Sequence, residues 1–220
     1  MEKIEFYNSV LAAIEFKNPY DDVAKFLEKN ESLKEIGFNP IVADLNPNYG
    51  VKMLRLLKNK LPAKIQVNQI RIQYEDNNKM SVNEVSQISK VMDELQEAHN
   101  IINSNRKIEF KGVILKTTYE LEEDELSKIK DKFFGYGDKF ERGELKLNFI
   151  SKDKLNYNIF FVLQNDSKLL VDFDINTRLV DNQDDWSIKD VIDKIIKYTE
   201  NPVKILNIIN IETEHKADNQ

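Results

Sequence analysis

The chain has 220 residues, 41% hydrophobic and 32% charged, with a formal net charge of −6. This balance describes a soluble globular protein, long enough for one large domain or two small ones, and it argues against wholesale nucleic-acid binding. Cysteine is absent, which excludes disulfides, thiolate catalysis and cysteine-ligated metals.

The opening MEKIEFYNSV shows no basic region followed by an apolar run, and no stretch reaches the ~18–20 apolar residues of a membrane helix. A cytoplasmic protein without a membrane segment is the expectation. Residues 4–16 alternate or run apolar and predict one long or kinked strand, broken at Asn18-Pro19. Val23, Phe26, Leu27 and Leu33 fall at helical spacing and predict a helix over 20–35, closed by Gly37. Residues 40–45 predict a short strand before the turn Asn46-Pro47-Asn48.

Residues 50–60, GVKMLRLLKNK, combine residues that prefer helix with Asn48 as a cap and Pro62 as a stop. They predict a short helix, although the matching place in the second half reads as a strand. Residues 64–74 alternate through Ile65, Val67, Ile70, Ile72 and Tyr74, with a slip near Gln69 that predicts a bulge. Residues 81–103 give the clearest helix, opened by the capping box Ser81/Glu84, with Val85, Ile88, Met92, Leu95 and Ile102 on one face. Beyond it the pattern predicts a strand at 108–119, a helix at 123–133, and strands near 144–150, 157–164 and 168–175. A last helix, capped by Ser187 and Asp190, turns Ile188, Val191, Ile192 and Ile195 inward. The tail 212–220 has little to bury and reads as disordered.

The chain also repeats itself. Ile4-Glu5-Phe6 recurs as Ile108-Glu109-Phe110, Val10-Leu11 falls on Val113-Ile114, and Asp21-Asp22-Val23 on Asp124-Glu125-Leu126. Ser81-Val82-Asn83-Glu84-Val85 falls on Ser187-Ile188-Lys189-Asp190-Val191, and Asn100-Ile101-Ile102-Asn103 on Asn207-Ile208-Ile209-Asn210. Matches in order at a slowly drifting shift are the mark of internal duplication. The expected fold is therefore α+β: a tandem strand–helix–strands–helix unit, residues 1–106 and 107–211, forming a mainly antiparallel curved sheet backed by two long helices. Over residues 4–210 this element order resembles the duplicated, saddle-shaped arrangement of the TATA-binding protein. The resemblance lies in the order alone and brings no functional residue with it.

Three features belong to one half only. From Leu45 to Tyr74 there is no acidic residue, while Lys52, Arg55, Lys58, Lys60, Lys64 and Arg71 are all cationic. Such a run suits phosphates or an acidic protein surface, or is balanced within the chain. The glycine-punctuated aromatic segment 133–140 offers Tyr136, Lys139 and Phe140 as loop anchors, or plugs the end of the sheet. In VDFDI, Asp172 and Asp174 share one face of a strand. With a third oxygen from Asp166 or Asp181 they are candidates for Mg²⁺ or Mn²⁺, against the plainer reading of a solvated strand face. His99 and His215 are the two histidines, and neither has a visible partner for base catalysis.

These features favour a non-catalytic binding or assembly protein that presents the sheet to a protein partner or to itself, with no cofactor. Nucleic-acid binding through 52–71 is the second reading, and a metal-dependent enzyme at Asp172/Asp174 the third.

Overall fold

The computed structural model describes residues 6–17, 30–35, 37–46, 50–58, 64–68, 71–102, 107–130, 142–164 and 167–199. Much of the expected first helix, Lys60, the aromatic segment with Tyr136, Lys139 and Phe140, Asp166 and the tail lie outside them. In chain order the strands are β1 (Phe6–Tyr7), β2 (Ser9–Phe16), β3 (Phe38–Asn46), β4 (Gly50–Lys58), β5 (Lys64–Asn68), β6 (Arg71–Asp76), β7 (Met80–Ser81), β8 (Ile108–Glu120), β9 (Arg142–Ile150), β10 (Asn156–Gln164) and β11 (Lys168–Asn176). The helices are α1 (Asn30–Glu35), α2 (Val82–Ile102), α3 (Glu123–Ile129) and α4 (Ile188–Thr199).

Nine strands form one α+β sheet in the order β3-β4-β5-β6-β2-β8-β11-β10-β9, and every ladder is antiparallel. The order runs inward from both edges to β2 and β8, which pair at the middle. β1 leaves this sheet and pairs with β7. The break falls at Asn8, whose backbone N–H still donates to the Lys116 carbonyl at 2.8 Å and whose side chain reaches the Thr118 hydroxyl at 2.6 Å. The long or kinked first strand expected from the sequence is thus two, broken where the Asn8 side chain reaches the neighbouring strand.

Two further expectations are corrected. Residues 50–58 are a strand, not a short helix: β4 pairs with β3 on one side and β5 on the other. Ladder bonds on both sides outweigh the few tenths of a kcal/mol per residue by which Leu, Lys and Met prefer helix. Gln69, where a bulge was expected, lies outside the described residues, and the segment expected as one strand is two, β5 and β6. β5 pairs antiparallel with β6, Gln66 opposite Gln73 and Val67 opposite Ile72.

Strand alternation puts one set of side chains under the helices. Val10, Ala12, Ile14, Ile72, Tyr74, Val113, Leu115, Val171, Phe173 and Ile159 are buried there. Both α2 and α4 pack on this face and against each other. Val85, Ile88, Met92 and Leu95 of α2 are buried, as are Ile188, Val191, Ile192 and Ile195 of α4. Each such side chain removes apolar area worth about 1.5–3 kcal/mol from water. The C-terminal end of α4 is tied down by tyrosines: Tyr119 donates to the Thr199 carbonyl at 2.9 Å, and the Tyr7 and Thr199 hydroxyls bond at 2.6 Å.

The helix starts follow the sequence. Glu84 accepts from the Ser81 backbone N–H at 2.7 Å while Ser81 accepts from the Glu84 N–H at 3.3 Å. Asp190 and Ser187 repeat the exchange at 2.8 and 3.1 Å. Two otherwise orphan amides are satisfied at each start. Among the described residues no helix is long and apolar enough to cross a membrane.

Candidate functional site

The face of the sheet opposite α2 and α4 is built by the other parity of the same strands. One register row crosses it without interruption: Gln66, Gln73, Ala13, Gly112, Asn176 and Asn156, each paired with the next, on β5, β6, β2, β8, β11 and β10. Two amides, two small residues and two amides therefore lie side by side across six strands. The row continues to Arg55 on β4, opposite Gln66, and to Ile150 on β9, opposite Asn156. Arg55 is exposed and Ile150 is 61% exposed.

Gly112, at the centre of the row, is buried and has no side chain. A Cβ there would meet the Phe110 ring and the Asn176 Cβ, both at 3.2 Å. Phe110 can pack against the glycine for that reason, and the Arg178 guanidinium lies over the Phe110 ring, 4.8 Å from its centroid. Such cation–π contacts contribute about 0.5–1 kcal/mol at exposed positions.

Charges flank the row in pairs. Arg71 bonds Glu15 across β6 and β2, and Lys64 reaches Glu75 at 3.4 Å. Lys116 meets Asp172 at 3.2 Å across β8 and β11. Of the basic segment, Arg55, Lys64 and Arg71 share this face, and the partners of Lys64 and Arg71, Glu75 and Glu15, come from the first half of the chain. Lys58 stands opposite Phe38 at the end of β4. Lys52 falls at a register irregularity between β3 and β4.

Asp172 and Asp174 do share the open face, as their spacing requires. Asp172 faces Lys116, while Asp174 accepts from the side-chain amides of Asn158 at 3.1 Å and Asn176 at 3.2 Å. Asp181, considered as a third ligand, is paired with Lys154. Among the described residues no group of three His, Cys, Asp or Glu is placed to hold a metal.

On the helix side the structure places a charge that sequence reasoning missed. Lys111, 4% exposed, donates from Nζ to the carbonyls of Trp186 at 2.6 Å and Gln183 at 3.2 Å. Burial lowers its pKa, and the nearby carboxylates of Asp184, Asp93 and Asp190 oppose that shift. Asp93 is shifted upward in turn, by its own burial above all. The signal was present: Lys111 has the parity of Val113 and Leu115, the inward residues of β8. Beside it a surface cleft is lined by Asp185, Trp186, Asp190, Asp193, Lys194 and Lys197. Three of its charges are engaged locally: Asp190 by Ser187, Asp193 by Lys189, and Lys194 by Asp153 and the Trp186 ring.

No family model and no curated protein matches this chain. Among solved structures it is similar to Methanococcus jannaschii TBP, at 13% identity and a TM-score of 0.34, over 90% of this chain and 98% of that one. A likeness of that size licenses no inference about ligand or mechanism.

Proposed function

We propose that the protein is a non-catalytic binding or assembly protein that presents the open face of its sheet to a protein partner. The observation that carries this reading is the row Gln66-Gln73-Ala13-Gly112-Asn176-Asn156. The amides, and the Phe110–Arg178 stack that covers Gly112, together give the face polar and aromatic groups for a partner. The aromatic segment with Tyr136, Lys139 and Phe140 is retained as an anchor of the same protein-binding role. Nucleic-acid binding through Lys52, Arg55, Lys58, Lys60, Lys64 and Arg71 is the second reading, supported by the exposure of Arg55. Against it, Lys64, Arg71 and Lys116 each have a carboxylate beside them, which a phosphate would have to displace.

The halves 1–106 and 107–211 are, in this reading, two copies of one unit sharing a sheet. Support comes from the mirrored strand order and from the Ser-x-x-Glu and Ser-x-x-Asp caps that open α2 and α4. The copies diverge in their loops and open-face charges, where a partner would be specified.

The test is capture from the native cell with the wild-type chain, Gln73→Arg and Asn156→Arg side by side, followed by binding of the recovered partner in purified form. A protein partner held by the wild type and lost from both variants is the expected result. Retention by both variants, or recovery of nucleic acid alone with affinity falling steeply in salt, would overturn the reading.

A further inference from the structure

We propose that β9 is an open edge through which two copies of this chain pair, antiparallel and centred on Leu145, joining their sheets into one. The inference deepens the binding reading by naming a second copy as the occupant of this edge. It rests on the difference between the two edges of the sheet and on the charges along one of them.

An edge strand presents a row of unpaired N–H and C=O groups, and proteins blunt such edges with proline, bulges or short strands. The β3 edge is blunted in this way. Pro40 lacks an N–H, and the register with β4 shifts between Val42 and Asp44 and again between Asp44 and Leu45. The β9 edge is not. Its nine residues, RGELKLNFI, contain no proline and pair with β10 in unbroken register from Arg142 to Ile150. Among the described residues no strand lies on its outer side. Leu145, Leu147 and Phe149 take its inward parity and are only half-buried, packed at the margin of the core. A further strand would extend the apolar layer over them.

The charges select both the occupant and the register. Glu144 and Lys146 are exposed and lie on the same face, two residues apart. In a two-fold antiparallel pairing centred on Leu145, Glu144 of each copy stands opposite Lys146 of the other, twice over. Centring on Glu144 or on Lys146 sets like charges against each other, and centring on Leu147 sets Lys146 opposite Asn148 and Glu144 opposite Ile150. Opposite charges directly across a strand pair stabilise it and like charges destabilise it. The chosen register also places Leu147 against Gly143, where a small residue leaves room. This interface is isologous, so it closes at two copies and leaves the blunted β3 edges at the ends of the joined sheet.

The experiment is the solution mass of the full chain, by light scattering and sedimentation over a wide concentration range, for the wild type, Glu144→Lys, Lys146→Glu and the double exchange. The expected wild-type species has the mass of two chains. Each single exchange weakens association by roughly tenfold or more, since it sets like charges opposite each other at two places. The double exchange restores it. An equimolar mixture of the two single variants also restores it, because each then meets its complement. Both positions are exposed, and circular dichroism matching the wild type, at a dilution where all the variants are single chains, establishes that they fold. A wild type that stays single at every concentration overturns the inference, as does a dimer indifferent to both exchanges. If the edge fails in this way while the open-face variants still lose their protein partner, the binding reading stands without it.

Discussion

Leu11 lies directly opposite Ile114 in the β2–β8 ladder at the middle of the sheet. The same two residues correspond in the internal alignment, where Val10-Leu11 falls on Val113-Ile114. In the repeat proposed above, these two residues are counterparts, and a pair of that kind sits where a local two-fold axis would pass. The two halves therefore share backbone bonds at their seam as well as packing between α2 and α4. Unfolding should be a single transition, with fluorescence and far-ultraviolet circular dichroism coincident in urea. Amides of β2 and β8 should exchange last, by global opening. Two separated transitions, or early exchange along the seam, would show that the halves are independent.

The two helix caps give a second expectation. Ser81→Ala and Ser187→Ala should each lower stability by about 1 kcal/mol, read from urea midpoints at constant slope. The acid side follows from the partner carboxylates. Hydrogen bonds from Ser81, the backbone N–H first, hold the Glu84 pKa below its ordinary value, and those from Ser187, the hydroxyl first, do the same for Asp190. A depressed carboxylate stabilises the fold at pH above its unfolded value, and the contribution is lost as pH falls through the folded one. Glu84→Gln and Asp190→Asn should therefore flatten the loss of stability below the ordinary carboxylate range. A wild-type acid limb unchanged by both substitutions would remove the caps as its cause.

Legibility in the sequence tracked how local each cause was. The caps at Ser81 and Ser187 are set by residues three apart, and both were readable. So were the strands whose alternation is strict, such as β10 and β11. β4 was not, because its conformation is imposed by β3 and β5 from outside the segment. The balance of the basic segment was also hidden: Arg71 finds Glu15, 56 residues away. The amide row needs five ladder registers at once, and no single stretch of sequence contains it.

Lys111 gives a third expectation. Replacing it with Met removes the donor to the Trp186 and Gln183 carbonyls. The loss should be about 1.5–3 kcal/mol, the range for hydrogen bonds to a charged group, because those carbonyls lose their donor on the protein side. Its alkaline behaviour has a definite sign. The folded pKa is lowered, so between that value and the ordinary lysine value of about 10.4 the unfolded chain binds more proton, and stability rises with pH. Wild-type stability relative to Lys111→Met should therefore increase through that alkaline window. A difference that is flat or falls there would mean that the ammonium is not desolvated in the fold.

Gly112 ties the sheet to its open face, and its substitution separates packing from recognition. A Cβ would stand 3.2 Å from both the Phe110 ring and the Asn176 Cβ, so Gly112→Val must displace the ring from under Arg178. Overpacking of this kind costs about 1–3 kcal/mol. Phe110→Leu in the same chain should recover part of that loss, since neighbours that share a contact are not additive. The double variant would fold with a raised centre to the amide row, and if that row is the docking surface it should bind the protein partner more weakly than Phe110→Leu alone. Equal binding by the two would place the partner elsewhere on the molecule, and purely additive stabilities would mean that Phe110 does not rest on Gly112.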